Sequence, residues 1–550
     1  MIEKIFSLRI TNYSLSIAFL SVGVAFWQIF FKLTENADTY FLMNLGRYIL
    51  ENGFPQFDPF TIHENLKLVP QQWLSGVFFW EAYKLFGADG LRLADCLVGI
   101  ILVVTYWRLC LFVSNGNKSL SFTLSLVVAL IVSNWIVPRP HIISAAILLV
   151  EVFFLEKFTR TKNFKLLLAL PILSTLLINF HAAMWLMSLV VCLPFLFVKD
   201  IRHVKFLLAA MAATFLFGLI NPYGLDAMTY VFRSYGIDLM NQGIKEMMTP
   251  TAHDLRGKIF YLSEAFLIFS FARNKVAWRY IFLSGGITFM AIMHGRSLIL
   301  FYFLATFPLA NVWRSFSFKK IFGDEQYPNR GMLTLLFFFL LTINTFFVVE
   351  ILKYGFWKIT LPLQILFVSE LLFLAYNLLI AKIDGRIIHP RILPKKNLSM
   401  FLIALILGGI FLTTLDADKK ETDETFTTAI KFLLRSERPE DIALYVNQGY
   451  GGLVGMFGIK YYIDSRSEVF IPANNGQKNI LEEYVDFRRG KIPYEDFFAR
   501  YNFTHIITTS DDYFLYEQLS RDKNFRVIYE SERVEGYEVI SCKIFVPKKD

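Results

Sequence analysis

Long, nearly uncharged apolar runs recur along this chain of 550 residues, and several contain about 18 residues or more, enough for a helix to cross a bilayer. In hydrocarbon the backbone must satisfy its own hydrogen bonds, so such runs are expected to be helices. The composition agrees, since 55% of the residues are hydrophobic and only 18% are charged, whereas ordinary soluble domains are less apolar. The sequence therefore predicts a polytopic α-helical membrane protein. We place about thirteen spans, near residues 12–32, 91–112, 119–137, 142–158, 165–180, 183–198, 205–220, 258–272, 278–294, 297–313, 331–352, 360–381 and 398–415.

Lysine and arginine are concentrated in alternate short loops, which the positive-inside rule places in the cytoplasm. Examples in chain order are Lys118, Arg160, Lys199, Arg273 and Arg314. We therefore expect a cytoplasmic N-terminus, and the odd number of spans then puts the C-terminal region outside. The first span is too long, and too poorly followed by small residues, for a removable signal peptide. The net charge of +9 largely reflects the inner loops and gives no reason to expect a nucleic-acid partner.

The composition becomes mixed and more polar from about residue 416. We therefore divide the chain into a transmembrane module, residues 1–415 with a first outer loop at 33–90, and an extracytoplasmic domain, residues 416–550. Short β-forming runs alternate there with helical patterns, which is typical of a small α/β layer fold. Strands are predicted at Ala443–Asn447, Lys460–Asp464, His505–Thr509, Arg526–Ser531 and Tyr537–Phe545. Helices are predicted at Thr425–Arg435, Tyr450–Phe457, Asn479–Phe487, Tyr494–Tyr501 and Asp512–Arg521.

A glycine cluster, Gly449, Gly451 and Gly452, follows the first of these strands. Its spacing is not that of a dinucleotide-binding fingerprint. We interpret it as a structural turn or as part of a surface that binds an acceptor.

The first outer loop begins with an acidic residue, Asp38, that closely follows the first span. The residues after it form an amphipathic segment, a Gly/Pro-rich link follows, and a second amphipathic piece runs from Gln71 to Phe86. A carboxylate at the membrane edge, between two helices able to lie flat on the bilayer, suits an enzyme whose substrate arrives in the lipid.

Several of the other predicted outer connections carry polar residues. The short ones contain Arg139, His141, His181 and Arg296, and a longer one runs from Asn221-Pro222-Tyr223-Gly224 through Glu246. Helical bundles bring such loop ends close together. We therefore expect a cluster made of Asp38, Arg139, His141, His181, Glu246 and Arg296.

The residue types in this cluster fit phosphate and proton chemistry. The guanidinium fork matches phosphate oxygens, so Arg139 and Arg296 could hold the phosphate of a lipid-linked donor and stabilise it as a leaving group. Asp38 could act as general base towards an attacking hydroxyl. Histidines could bind phosphate or sugar hydroxyls, or join carboxylates around a divalent metal such as Mg or Mn.

Each residue also has a purely structural interpretation. Asp38 could cap the helix that it begins, and the two arginines could anchor the protein to lipid headgroups. The histidines could be hydrogen-bonded interfacial residues, and Asn221–Gly224 is first of all a turn pattern.

The chain resembles the GT-C superfamily of integral membrane glycosyltransferases, which includes protein mannosyltransferases and bacterial aminoarabinose transferases. The resemblance lies in the layout of spans and loops and in short segments, which also resemble bacterial membrane proteins assigned to that superfamily by analogy: Ala37–Phe60, Gln72–Leu93, Arg139–His141, Asn179–His181, Asn221–Gly224 and Gly451–Arg466.

The resemblance implies a polyprenyl-phosphate-sugar donor, a lipid, glycan or protein acceptor, and transfer on the outer face of a bacterial cytoplasmic membrane. Asp38 stands where the superfamily keeps its catalytic acid. Many members have Glu after that Asp, whereas Thr39 follows here, so metal dependence stays open. Tyr223 and Glu246 are expected to be substrate-binding or auxiliary residues, with Glu246 the best candidate for a second carboxylate.

A transporter or a flippase for a lipid-linked glycan is the main alternative. Ionisable residues inside spans often mark transport pathways, and Glu151, Glu264 and Glu370 fall in predicted spans. Transporters commonly have repeated halves, and no convincing repeat is visible in this sequence. A third possibility is a noncatalytic scaffold whose outer domain binds a cell-wall partner.

Overall fold

The computed structural model describes residues 37–234, 247–315, 419–509, 512–535 and 538–548. Its α-helices are α1 (Ala37–Asn52), α2 (Trp73–Phe86), α3 (Ala88–Val113), α4 (Lys118–Val132), α5 (Pro140–Thr161), α6 (Ala169–His181), α7 (Leu186–Val190), α8 (Ile201–Phe217), α9 (Leu225–Met228), α10 (Tyr230–Ser234), α11 (Leu255–Ala272), α12 (Trp278–Met293), α13 (Leu298–Leu300), α14 (Pro308–Val312), α15 (Lys419–Leu433), α16 (Gly451–Met456), α17 (Pro472–Asn475), α18 (Ile480–Arg488), α19 (Tyr494–Ala499) and α20 (Tyr513–Arg521). Its strands are β1 (Ala443–Tyr445), β2 (Lys460–Tyr461), β3 (His505–Thr509), β4 (Phe525–Glu535) and β5 (Glu538–Pro547). Short 3₁₀ or π turns lie at Ser133–Trp135, Phe164–Leu168, Ala182–Met184, Leu193–Leu196, Gly295–Ser297, Phe301–Ala305, Pro439–Asp441 and Ser467–Phe470.

The expected spans between residues 91 and 313 all coincide with helical segments. The expected span at 183–198 is broken into short turns, where Ala182–Met184, α7 and Leu193–Leu196 follow one another. In the part of the chain that the structure describes, three helical segments are long and apolar enough to cross a membrane: Ala88–Val113, Phe164–Met184 and Gly295–Val312. The expected spans at 12–32, 331–352, 360–381 and 398–415 lie outside the described residues.

Helix α1 is a buried element of the fold. It crosses α2 at a glycine pair so closely that a Cβ atom added to Gly46 would lie 2.2 Å from the carbonyl oxygen of Gly76. It also packs on α16, where a Cβ atom on Gly452 would lie 2.9 Å from the carbonyl oxygen of Ala37. Helices α2 and α16 therefore cover two sides of α1.

The C-terminal region contains a mixed sheet with the strand order β2-β1-β3-β5-β4. Strand β1 is parallel to β2 and β3, and β5 is antiparallel to β3 and β4. All five strands coincide with strands predicted from the sequence. The five helices predicted in this region also form, as α15, α16, α18, α19 and α20, whereas the one-turn helix α17 was not predicted.

The segment that the sequence predicts to be the first outer loop extends this sheet. Thr61 pairs in parallel with Tyr461 of β2, and the backbone N–H of Ile62 donates to the Tyr461 carbonyl at 3.0 Å. The loop thereby covers the edge of β2, which would otherwise present unpaired backbone groups. Apolar side chains of the loop, Leu66 and Leu68, are buried in a core shared with Tyr445 and Tyr462 of the C-terminal region.

Candidate active site

The central feature of the candidate site is an ion pair between two loop ends that the sequence separates by a hundred residues. Asp38 lies in the first turn of α1, where a negative charge is favoured by the helix dipole. Arg139 directly precedes α5 and has extended backbone angles (φ −135°, ψ 152°), as expected for a residue before proline. Arg139 Nη2 lies 3.0 Å from Asp38 Oδ2, and the two side chains are 25% and 28% exposed. The pair is therefore accessible from outside the core.

The two predicted histidines lie on neighbouring helices. His181, at the end of α6, has Nδ1 2.9 Å from Ser144 Oγ, and the same hydroxyl donates to the Pro140 carbonyl at 2.9 Å. Because a hydroxyl has one hydrogen, Nδ1 then carries the proton of the His181 ring, and Nε2 is an acceptor in the neutral form. His141 Nε2 lies 2.8 Å from the Trp135 carbonyl, which can only accept, so Nε2 is the donor.

Arg296 lies close enough to the His181 ring for its charge to act on it. It is an exposed residue in the turn Gly295–Ser297, just before α13. A residue from another part of the chain holds the turn in place: the Gly295 N–H donates to the Met248 carbonyl at 3.0 Å. The charges of both His141 and Arg296 act on the His181 ring, which places these three predicted residues within electrostatic range of one another.

A second carboxyl group comes from a place that sequence reasoning missed. Glu468, in the turn Ser467–Phe470, accepts a hydrogen bond from Gln71 Nε2 at 2.9 Å, and the Gln71 carbonyl accepts from the Ala182 N–H at 2.8 Å. Glu468 is therefore tied to the residue that follows His181. Burial raises the pKa of Glu468; the charge of Arg296 opposes that rise and the charge of Asp38 adds to it.

A buried ionic network holds the segment that carries Glu468. The Arg466 guanidinium lies 2.7 Å from Asp58 of the first outer loop and 2.7 Å from Asp464. The side chain of Arg466 is only 5% exposed and both carboxylates are fully buried. Burial works against the charge of Arg466, but Asp464 and Asp58 more than offset it and raise the pKa of the guanidinium well above its ordinary value. Tyr461 donates a further 2.6 Å hydrogen bond to Asp464.

Tyr223, another predicted site residue, makes its contacts elsewhere. The Tyr223 hydroxyl donates to the Pro55 carbonyl at 2.9 Å, and its ring contacts Phe54 edge-on, 6.1 Å between centroids. Burial raises the pKa of Tyr223. Both contacts hold the first outer loop and involve neither Asp38 nor Arg139. Glu246 lies outside the described residues.

The glycine cluster of the C-terminal region is used for close packing. A Cβ atom on Gly451 would lie 2.2 Å from the Ile463 carbonyl oxygen. Asn44 Nδ2 of α1 donates to the Gly452 carbonyl at 2.7 Å, and Arg47 donates to the carbonyls of Gly455 and Met456 at the end of α16. Gly452 therefore lies at the contact between α16 and α1, whereas Gly451 packs against the segment after β2.

Among the residues that the structure describes, no group of three His, Cys, Asp or Glu side chains lies close enough to hold a metal ion. The described carboxyl groups of the site are instead engaged by Arg139 and by Gln71.

The fold is similar to those of two solved structures. One is the archaeal oligosaccharyltransferase AglB from Archaeoglobus fulgidus, in complex with an inhibitory peptide and a dolichol-phosphate, at 11% identity and a TM-score of 0.52, covering 90% of this chain and 69% of that one. The other is ArnT from Cupriavidus metallidurans bound to undecaprenyl phosphate, at 11% identity and a TM-score of 0.50, covering 96% of this chain and 97% of that one. No protein-family model matches the sequence, and no curated protein sequence matches it either. At this identity the likeness shows a shared fold.

Proposed function

We propose that the chain, whose fold is similar to those of AglB and ArnT, is a membrane glycosyltransferase of the GT-C type. It would move a sugar from a polyprenyl-phosphate-linked donor to a lipid, glycan or protein acceptor on the outer face of the cytoplasmic membrane. The observation that carries the proposal is the 3.0 Å pair between Asp38 and Arg139, beside a helix start that also holds His181 through Ser144. The ligands of the two similar structures, dolichol-phosphate and undecaprenyl phosphate, support a polyprenyl-phosphate carrier.

In the proposed reaction, the Asp38 carboxylate takes the proton of an acceptor hydroxyl. The hydroxyl oxygen bonds to the anomeric carbon of the sugar, and the bond from that carbon to the phosphate oxygen breaks. The electron pair of that bond goes to the phosphate, whose charge Arg139 and Arg296 would stabilise. Arg139 has five N–H donors in a fixed fork, so it can orient Asp38 and contact a phosphate at the same time.

The neutral His181 ring would contribute a hydrogen-bond acceptor at Nε2, suited to a sugar hydroxyl. Its orientation is fixed by Ser144, which is itself bonded to the first turn of α5. Since Arg139 precedes that turn directly, the histidine and the arginine are positioned by the same helix start.

Transport remains the second candidate function because α5 carries a fully buried carboxyl, Glu151. Its neighbour in the core is Cys192, whose Sγ lies 3.6 Å from Glu151 Oε1. Buried ionisable groups in membrane helices are costly and often belong to pathways. The other buried acid of α5, Glu156, is instead paired with Arg279 at 2.9 Å, which is a structural arrangement.

Replacing Asp38 by Asn tests the proposal. The amide keeps the size of the side chain but cannot take up a proton, so we expect sugar transfer to fall by roughly 10²- to 10⁴-fold, the usual contribution of general base catalysis. Transfer would be measured by mass spectrometry of the acceptor after reconstitution with a polyprenyl-phosphate-sugar donor.

Asp200→Asn is the matched control. Asp200 is also an acid at a helix start, paired with Lys162 at 3.5 Å, and Asn caps helices as well as Asp does. The control should keep full activity. Undiminished turnover in Asp38→Asn would remove the base, and movement of the substrate across vesicles without covalent change would favour transport.

A further inference from the structure

Glu468 is a carboxyl group that the proposed mechanism does not use, although the structure brings it to the same site. It comes from the C-terminal region, and its Oε1 accepts from the neutral amide of Gln71 at 2.9 Å. The charges of Arg296 and Asp38 both act on it. Through Gln71, whose carbonyl accepts from the Ala182 N–H at 2.8 Å, Glu468 is joined by hydrogen bonds to the end of α6, which carries His181.

The surroundings of Glu468 decide which form it takes. The charged groups near it are Arg296, Asp38 and, in its own segment, Arg466; the buried phenol of Tyr230 also lies within range of its charge. Arg466 forms ion pairs with Asp58 and Asp464, and Arg139 forms one with Asp38. Arg296 is exposed, so its charge is screened by solvent.

A second carboxylate beside a phosphate site would repel the ligand, whereas a neutral carboxyl can donate a hydrogen bond to it. Two carboxyl groups at one site, one paired with a cation and one half-buried against a neutral partner, commonly divide their roles in this way. The pKa of Glu468 is raised by burial, which favours the neutral form of the carboxyl.

We propose that the Glu468 carboxyl, in its neutral form, donates a hydrogen bond to the phosphate of the lipid-linked donor. This inference rests on the proposed function, since it takes the donor phosphate as the ligand. It assigns the C-terminal region a part in the site itself. The Asp58–Arg466–Asp464 network then acts as the anchor that holds Glu468 in place, because Arg466 lies two residues before it.

The test is the pH dependence of lipid-phosphate binding by the full-length protein in nanodiscs. Wild type, Glu468→Gln and Glu468→Ala are titrated with undecaprenyl phosphate from mildly acidic to mildly alkaline pH. The neutral carboxyl is present below the pKa of Glu468. We therefore expect the affinity of the wild-type protein for the lipid to fall as pH rises through that pKa. Glu468→Gln keeps a neutral N–H donor at every pH and should not show this fall. The phosphate has its own ionisation near a pKa of about 6, but that change is common to all variants and cancels in the comparison.

Glu468→Ala should bind roughly 10-fold or more weakly at low pH, the usual effect of losing a hydrogen bond to a charged group. Glu440→Gln, an exposed residue of the same region, should behave as wild type. Thermal unfolding of each variant shows whether it is folded, and Glu468→Gln is the deciding variant because it changes the least.

The outcomes separate cleanly. A fall in affinity with pH that is present in wild type and absent in Glu468→Gln supports the proposal, whether inorganic phosphate reproduces it or not. A pH difference seen with inorganic phosphate but not with undecaprenyl phosphate overturns it, as do equal pH profiles in wild type and Glu468→Gln or an absence of lipid-phosphate binding by wild type. Since binding is measured without sugar transfer, loss of the proposed transferase activity and loss of this inference are distinguishable.

Discussion

At the scale of single residues, the pairing of Asp38 with Arg139 reconciles two interpretations of the acid. Asp38 stands in the first turn of α1, where it supports the helix, and it also contacts a guanidinium across 3.0 Å. The pair is only partly exposed. Solvent therefore screens the attraction between the two charges only in part. A charge-assisted contact of this kind fixes the direction of both side chains, which is what a general base and a phosphate-binding group need.

Arg139→Ala should weaken binding of a polyprenyl phosphate by roughly 10-fold or more, the range expected when a hydrogen bond to a charged group is lost. Arg139→Lys should bind with intermediate affinity, because a single ammonium cannot reproduce the planar fork. Affinity would be measured by titrating undecaprenyl phosphate into the reconstituted protein. Arg273→Ala, which removes a guanidinium packed over Phe269 at 5.3 Å, is the control. Equal affinity in the Arg139→Ala variant and wild type would refute the assignment.

At the scale of elements, local patterns were enough to predict most helices and all described strands. Alternation and apolar periodicity are local properties, so β3 at His505–Thr509 could be placed without knowing its partners. The contacts between elements could not be read in this way. Gly452 looks like a turn residue in the sequence, and only the fold shows that it faces the backbone of α1. Glu468 was missed for the same reason: its partner Gln71 is almost four hundred residues away.

The crossing of α1 and α2 gives a prediction of its own. Gly46→Ala would place a methyl group 2.2 Å from the Gly76 carbonyl oxygen, a rigid backbone atom, so the helices must separate. We expect the free energy of unfolding to fall by about 1–3 kcal/mol, as in other overpacked sites. Gly286→Ala in α12 is the control: no heavy atom lies within 4 Å of the added Cβ atom, and alanine is the better helix former by up to about 1 kcal/mol. Thermal unfolding in detergent would measure both, and equal stability of the two variants would show that α1 and α2 are not in this close contact.

At the scale of the whole molecule, the first outer loop joins the two predicted modules. Its residues extend the sheet at Thr61 and Tyr461, and its Asp58 meets Arg466 in the buried network. One apolar core contains both Leu102 of α3 and Leu444 of β1. The loop that carries Asp38 therefore packs against the C-terminal region. We expect a substitution in that region to alter the candidate site.

Arg466→Met tests this link between the modules. The substitution keeps much of the side-chain volume but leaves Asp58 and Asp464 buried without a cation, which should lower the free energy of unfolding by about 3–5 kcal/mol. Arg438→Met is the control, because Arg438 pairs with Asp441 at 2.9 Å on the surface, where such pairs contribute about 1 kcal/mol or less. If the network holds Glu468 in place, the surviving folded fraction of Arg466→Met should also bind undecaprenyl phosphate more weakly, whereas Arg438→Met should bind normally. If Arg466→Met is less stable but binds the lipid as tightly as wild type, the network stabilises the fold and does not position Glu468.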